Sequence, residues 1–135
     1  MVTRFTQSIL VFSMLSLIAA EEVLAHDWTL VGKDAVMSFY IDTNTIQRVS
    51  ETEVAALSLQ NFINEKGQFE SMVAGIVYDC IGMRKKDSFT NLYKLFWAEG
   101  ILVEEFGPEK EWHQMPDDSI GATGGRFACA ASSNS

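Results

Sequence analysis

Phe69-Glu-Ser-Met-Val-Ala-Gly-Ile-Val-Tyr-Asp-Cys80 alternates with a period of two. Met72, Ala74, Ile76, Tyr78 and Cys80 fall on one face. Phe69, Ser71, Val73, Gly75, Val77 and Asp79 fall on the other, which is smaller and more polar. A helix would mix the two sets, and Val73, Ile76, Val77 and Tyr78 all favour extended backbone. The segment is therefore predicted to be a strand whose more apolar face meets the core and ends in a cysteine. The second of the two cysteines, Cys129, stands near the C-terminus. A bridge between them would pin the C-terminal segment onto the face of Met72, Ile76 and Tyr78. Such a bridge sets an architecture and supplies no chemistry.

The N-terminus has the form of a secretory signal peptide over residues 1–25. Arg4 lies in a short polar start, Ile9 to Ala20 form an apolar run, and Val23-Leu24-Ala25 offers small residues for cleavage. The run is short for a spanning helix and is ended abruptly by Glu21-Glu22. His26 stands where a lipoprotein would need a cysteine, so the mature chain is expected to be free of lipid. Cleavage after Ala25 leaves about 110 residues, enough for one domain and too few for two. The chain carries a formal net charge of −8 at pH 7 and stays acidic after cleavage, which makes nucleic acid a poor partner. Two cysteines in an exported chain suit one disulfide in an oxidising compartment.

Along the chain, Trp28 to Val31 reads as a first strand ended by Gly32-Lys-Asp34, and Val36 to Ile41 as a second. Asp42-Thr-Asn-Thr45 has short side chains that bond their own backbone, so a turn is predicted, with Ile46 tucked back under the sheet. A third strand alternates Ala55, Leu57 and Leu59 with Val54, Ala56, Ser58 and Gln60. Asn64-Glu-Lys-Gly67 is a polar loop. Beyond Cys80 a strand is expected from Ile81, resuming over Ser88 to Phe96, then a turn at Ala98-Glu-Gly100 and a short strand at Ile101-Leu-Val103. Pro108 stops any ladder, and Trp112 to Met115 is a last short strand. Asp117 or Ser119 could cap a helix running through Cys129, but Gly121, Gly124 and Gly125 argue for a loop, each costing about 1 kcal/mol relative to alanine.

In this order, Trp28, Phe39-Tyr-Ile-Asp42 with Ile46, Phe69-Glu-Ser71, Tyr78-Asp-Cys80, Arg84, Gly100 before Ile101-Leu-Val103, Trp112 before Pro116, Ser119 and Cys129 resemble the surface-adhesin protein E family of Gram-negative bacteria. The resemblance spans Trp28 to Cys129. It implies an α+β fold: a single antiparallel sheet of about six strands, with a C-terminal helix tied to its concave face by a Cys80–Cys129 disulfide. For Asp117 to Cys129 it replaces the loop with a helix. It sets the domain at residues 26–130, with 131–135 as a frayed tail. The family's founding member is an outer-membrane lipoprotein that dimerises and binds host matrix and plasma proteins. The resemblance thus implies an exported, non-enzymatic module that contacts a host or envelope protein or pairs with itself. The alternative is a periplasmic structural or accessory domain with no adhesive role.

The residues themselves offer little chemistry beside that reading. If cleavage leaves His26 at the N-terminus, its amine and imidazole could chelate Cu²⁺ with His113 as a third nitrogen; the plainer reading has His26 there by accident of cleavage and His113 on a wet face. Ser71, Ser88 and Ser119 lie in no strained Gly-x-Ser-x-Gly turn, and Glu104 and Glu105, as neighbours in a strand, point to opposite faces. No catalytic residue and no cofactor are expected. Arg84-Lys85-Lys86 is the basic run of the mature chain, either a docking patch or a solvated strand edge that discourages sheet pairing. A strand over Phe89 to Trp97 would present Phe89, Tyr93, Leu95 and Trp97 on one face and Leu92 and Phe96 on the other. One helix covers one side of a sheet, so one face of this strand is expected to be an association surface, with Phe96 or Trp97 near its centre.

Overall fold

The computed structural model describes residues 25–63 and 67–133; the expected signal peptide up to Leu24, the middle of the polar loop and the last two residues lie outside that range. Its strands are β1 (Trp28–Lys33), β2 (Met37–Arg48), β3 (Glu53–Phe62), β4 (Ser71–Asp79), β5 (Arg84–Tyr93), β6 (Leu102–Phe106) and β7 (His113–Gln114), followed by helix α1 (Ile120–Ser133). They form one antiparallel sheet in the order β1-β2-β3-β4-β5-β6, with β7 pairing the start of β5. The sheet follows chain order because each strand returns beside its predecessor through a short connection. At the first return, the Asp34 carboxylate accepts from the backbone N–H groups of Val36 and Met37.

The central strand alternates as the sequence implies. Ala74, Ile76 and Tyr78 face α1 and join Phe39, Ile41, Val54, Ala56, Met115, Ala122 and Ala128 in the core, with Cys80 and Ile46 packed against it. Cys80 and Cys129 are bridged, so the helix is tied to that face. Phe69 precedes the strand and packs edge-on against Phe62 instead of continuing the alternation.

The helix is the main correction to the residue-by-residue reading. Ser119 caps it: its hydroxyl accepts from Ala122 N–H at 3.1 Å, and its carbonyl accepts from Thr123 N–H. Gly124 and Gly125, which argued for a loop, face the sheet. A Cβ at Gly124 would stand 2.3 Å from the Phe39 ring, and one at Gly125 would be 3.2 Å from the Tyr78 ring. These glycines let the helix lie close enough to bury both rings, which offsets their poor helix propensity. The helix also runs to Ser133, past the expected boundary at 130. Ser132 is buried and its hydroxyl accepts from the Arg48 guanidinium, so residues 131–133 belong to the helix.

Strand boundaries also differ, and β6 runs on from Val103 to Phe106. β1 runs through Gly32 to Lys33 by means of an irregularity at Val31. β2 does not stop at Ile41: the Asp42–Thr45 turn survives as a bulge between Asp42 and Gln47 inside a 12-residue strand. β5 begins only at Arg84, after a turn at Cys80–Met83, and ends at Tyr93. Leu95 to Trp97 therefore leave the ladder, and the alternation expected of them does not apply.

Candidate functional site

Beyond Tyr93 the chain forms a strap that doubles back over the face opposite the helix. Phe96–Ala98 form a single 3-10 turn, with Trp97 at φ 62° and Ala98 at φ 58°. Two successive non-glycine residues in the left-handed region are strained, and they hold only because neighbours fix them. Asn61 Oδ1 accepts from Trp97 N–H at 2.9 Å, and Ser71 Oγ accepts from Ala98 N–H at 3.0 Å. The Ser71 hydroxyl in turn donates to the Leu95 carbonyl. Asn61 and Ser71 are buried polar residues on the second faces of β3 and β4, and the strap is what satisfies them. Trp97 packs at a tilt against Tyr40, with ring centroids 4.8 Å apart. Phe89 lies over Gly75, where a Cβ would meet its ring at 2.6 Å. Leu59 and Val73 are buried beneath this cover.

The cover is incomplete. Phe96 is 41% and Trp97 48% exposed, and Leu95, Ile101 and Leu102 are exposed beside them. Val36 and Ile63 add to the same end of the sheet, where Ile63 N–H donates to the Val36 carbonyl. The sheet thus ends in an apolar rim carried by loops, with Phe96 and Trp97 on its strap.

The basic run is divided by the alternation of β5. Arg84 donates from Nη2 and Nε to one oxygen of Asp79, Oδ2, at 2.8 and 3.1 Å. Lys85 points to the other face and pairs with Asp87 at 3.0 Å. Lys86 lies over the Trp112 ring at 4.5 Å, with Arg84 at 5.2 Å from the same ring. The Asp79 carboxyl is held below its ordinary value by the Gly82 backbone N–H and by Arg84. Two of the three cations are thus neutralised by neighbouring carboxylates.

His26 and His113 stand at opposite edges of the sheet, one leading into β1 and the other on β7 beside β5, so they cannot share an ion. His26 Nδ1 lies 2.6 Å from Asp42 Oδ2 and its ring stacks on Trp28; His113 pairs with Glu109 at 2.8 Å. Among the described residues no group of three or more His, Cys, Asp or Glu is placed to hold a metal. Sequence reasoning gave Asp42 a turn role, which its bond from Asn44 bears out, and missed its ties to His26 and Asp27. The buried Asp42 carboxylate also accepts from the backbone N–H groups of Asp27 and Asn44, so it anchors the start of the domain to the β2 bulge. The available signal was a charged residue closing an apolar run, Phe39-Tyr-Ile-Asp42.

A family model described as surface-adhesin protein E matches residues 28–130. The chain belongs to the surface-adhesin protein E family. Solved structures of Haemophilus influenzae protein E share the fold. Crystal form II is 16% identical, with a TM-score of 0.61, over 83% of this chain and 93% of that one. A second structure of the same protein is 17% identical, with a TM-score of 0.59, over 84% and 91%. No curated protein matches by sequence. Membership of a surface-adhesin family makes this an exported, adhesin-like module. No helix among the described residues is long and apolar enough to cross a membrane.

Proposed function

We propose that this adhesin E domain is a non-enzymatic binding module that engages a protein of the host matrix or plasma, or of the cell envelope, through the apolar rim centred on Phe96 and Trp97. The observation that supports this most is the strap itself. It is strained at Trp97 and Ala98, is fixed by Asn61 and Ser71, and still leaves both aromatic rings nearly half exposed. Half-exposed aromatics on a rigid support gain roughly 25 cal/mol for each Å² that a partner covers, at little entropic cost. Arg84 and Lys85 have a lesser part in this reading, because Asp79 and Asp87 already neutralise them.

The experiment uses intact cells and a Phe96→Ser/Trp97→Ser double variant. For a surface role, external protease removes the wild-type domain from intact cells, and the folded variant loses retention on matrix or plasma protein. Protection until the outer membrane is opened would assign the partner to the envelope. Undiminished association by the folded variant, in either compartment, would overturn the reading. In sedimentation, a wild-type dimer that the variant abolishes would make a second copy the partner at this rim. Cleavage after Ala25 belongs to the same proposal, and N-terminal sequencing of the mature protein should begin His26-Asp27-Trp28.

A further inference from the structure

The two edges of the sheet are built differently. Each edge strand has one register shift, at Val31 in β1 and at Val103 in β6, but β1 is blunted: Lys33 ends it, and α1 packs beneath it, with Ile120 against Gly32. β6 is open. It is the terminal strand of the sheet, its outer side pairs with no strand among the described residues, and neither lysine, arginine nor proline interrupts it. Every residue of β6 except Val103 is exposed, on both faces. Open edges of this kind accept another strand unless something forbids it.

Its side chains select what can pair. Glu104 stands opposite Leu92 and Glu105 opposite Asn91, so the two carboxylates point to opposite faces, between exposed Leu102 and Phe106. Two copies of β6 lying antiparallel would bring four carboxylates together, and like charges across a ladder repel. A strand carrying adjacent basic residues would instead place one cation against each glutamate, one on each face. The formal net charge of −8 favours the approach of such a segment.

We infer that β6 takes up an extended cationic peptide segment by strand addition, with two adjacent lysines or arginines flanked by apolar residues. This rests on the reading of the domain as a protein-binding module and gives the chemistry of the partner. Backbone hydrogen bonds to the open edge supply affinity, Glu104 and Glu105 supply selection, and Leu102 and Phe106 receive the flanking apolar groups.

The probe is a blocked hexapeptide, acetyl-Thr-Val-Lys-Lys-Val-Thr-amide, titrated into the mature, disulfide-intact chain and followed by backbone amide NMR. Shifts confined to residues 102–106 and to their partners on β5 are expected. The Glu104→Lys/Glu105→Lys variant should weaken binding by about tenfold or more. So should N-methylation of the peptide at alternate residues, which removes ladder donors while keeping the charge. Circular dichroism and an intact bridge show that the variant is folded, since both glutamates are exposed. An absence of shifts at millimolar peptide, or equal binding by the N-methylated peptide, would overturn the inference. So would a wild-type dimer whose NMR interface is β6, because a second copy would then occupy the edge. If the peptide fails while Phe96→Ser/Trp97→Ser still abolishes retention on matrix protein, strand addition falls and the binding-module reading stands.

Discussion

The Asp42 carboxylate is buried, which pushes its pKa up, but hydrogen bonds from His26 and from the backbone N–H groups of Asp27 and Asn44 outweigh that and hold it below its ordinary value. Asp79 is lowered in the same direction by Gly82 N–H and Arg84. A carboxyl whose folded pKa lies below its unfolded value contributes stability that is fully present above the unfolded value, near 3.8 for aspartate. That stability is lost as pH falls through the lower folded value. The chain should therefore show constant urea stability above about pH 5 and weaken steeply below about pH 4. Asp79→Asn should be less stable than wild type at pH 7 and lose less on acidification. Asp42→Ala leaves two backbone donors without their acceptor and should cost about 2–3 kcal/mol at neutral pH. Urea titrations at pH 7 and pH 3 check all three.

At the scale of the element, the helix rests on close approach and on its covalent tie. Gly124→Ala gains up to about 1 kcal/mol in helix propensity. It also drives a methyl group to 2.3 Å from the Phe39 ring, which has no room to retreat. Overpacking of this kind costs about 1–3 kcal/mol, so net destabilisation is expected. Gly121→Ala meets nothing nearer than 3.7 Å and should be neutral or stabilising by a few tenths of a kcal/mol. Thermal melts of the two variants should move in different directions. The bridge closes a sequence separation of 49, so Cys80→Ala/Cys129→Ala should lose about 4 kcal/mol in the chain-entropy model. Denaturant unfolding of the double variant, beside reduced wild type, measures it.

For the whole molecule, the decisive feature is that the sheet has two covers of unequal quality. The helix covers one face and is bolted down; the strap covers the other through three hydrogen bonds and a Trp97–Tyr40 contact. Ser71→Ala removes the acceptor of Ala98 N–H and the donor to the Leu95 carbonyl, at a cost of about 1–2 kcal/mol. The loss should appear locally. Amide exchange at Trp97 and Ala98 should accelerate well beyond that of the β3–β4 ladder, because the strap opens without unfolding the sheet. Uniform acceleration across the sheet would show that the strap is part of the global fold.

What the sequence determined by itself was periodic or covalent. The alternation of Met72 to Cys80 assigns faces because successive side chains in a strand must point opposite ways. A cysteine at the end of the core face leaves Cys129 as its partner, and the run of landmarks from Trp28 to Cys129 carries the family. The helix was legible only through that resemblance, since local propensity counts the cost of Gly124 and Gly125 but not the rings of Phe39 and Tyr78 they approach. Tertiary structure alone decided where β5 stops. Leu95, Phe96 and Trp97 are apolar enough to continue a strand, and they leave it because Asn61 and Ser71, more than twenty residues upstream, offer hydrogen bonds to a chain that turns back. It also divided Arg84-Lys85-Lys86 between two faces and gave Asp79 and Asp87 to two of its cations. Pairings between distant segments leave no local period in the chain, so a burial pattern can be read from sequence while the partners of its polar groups cannot.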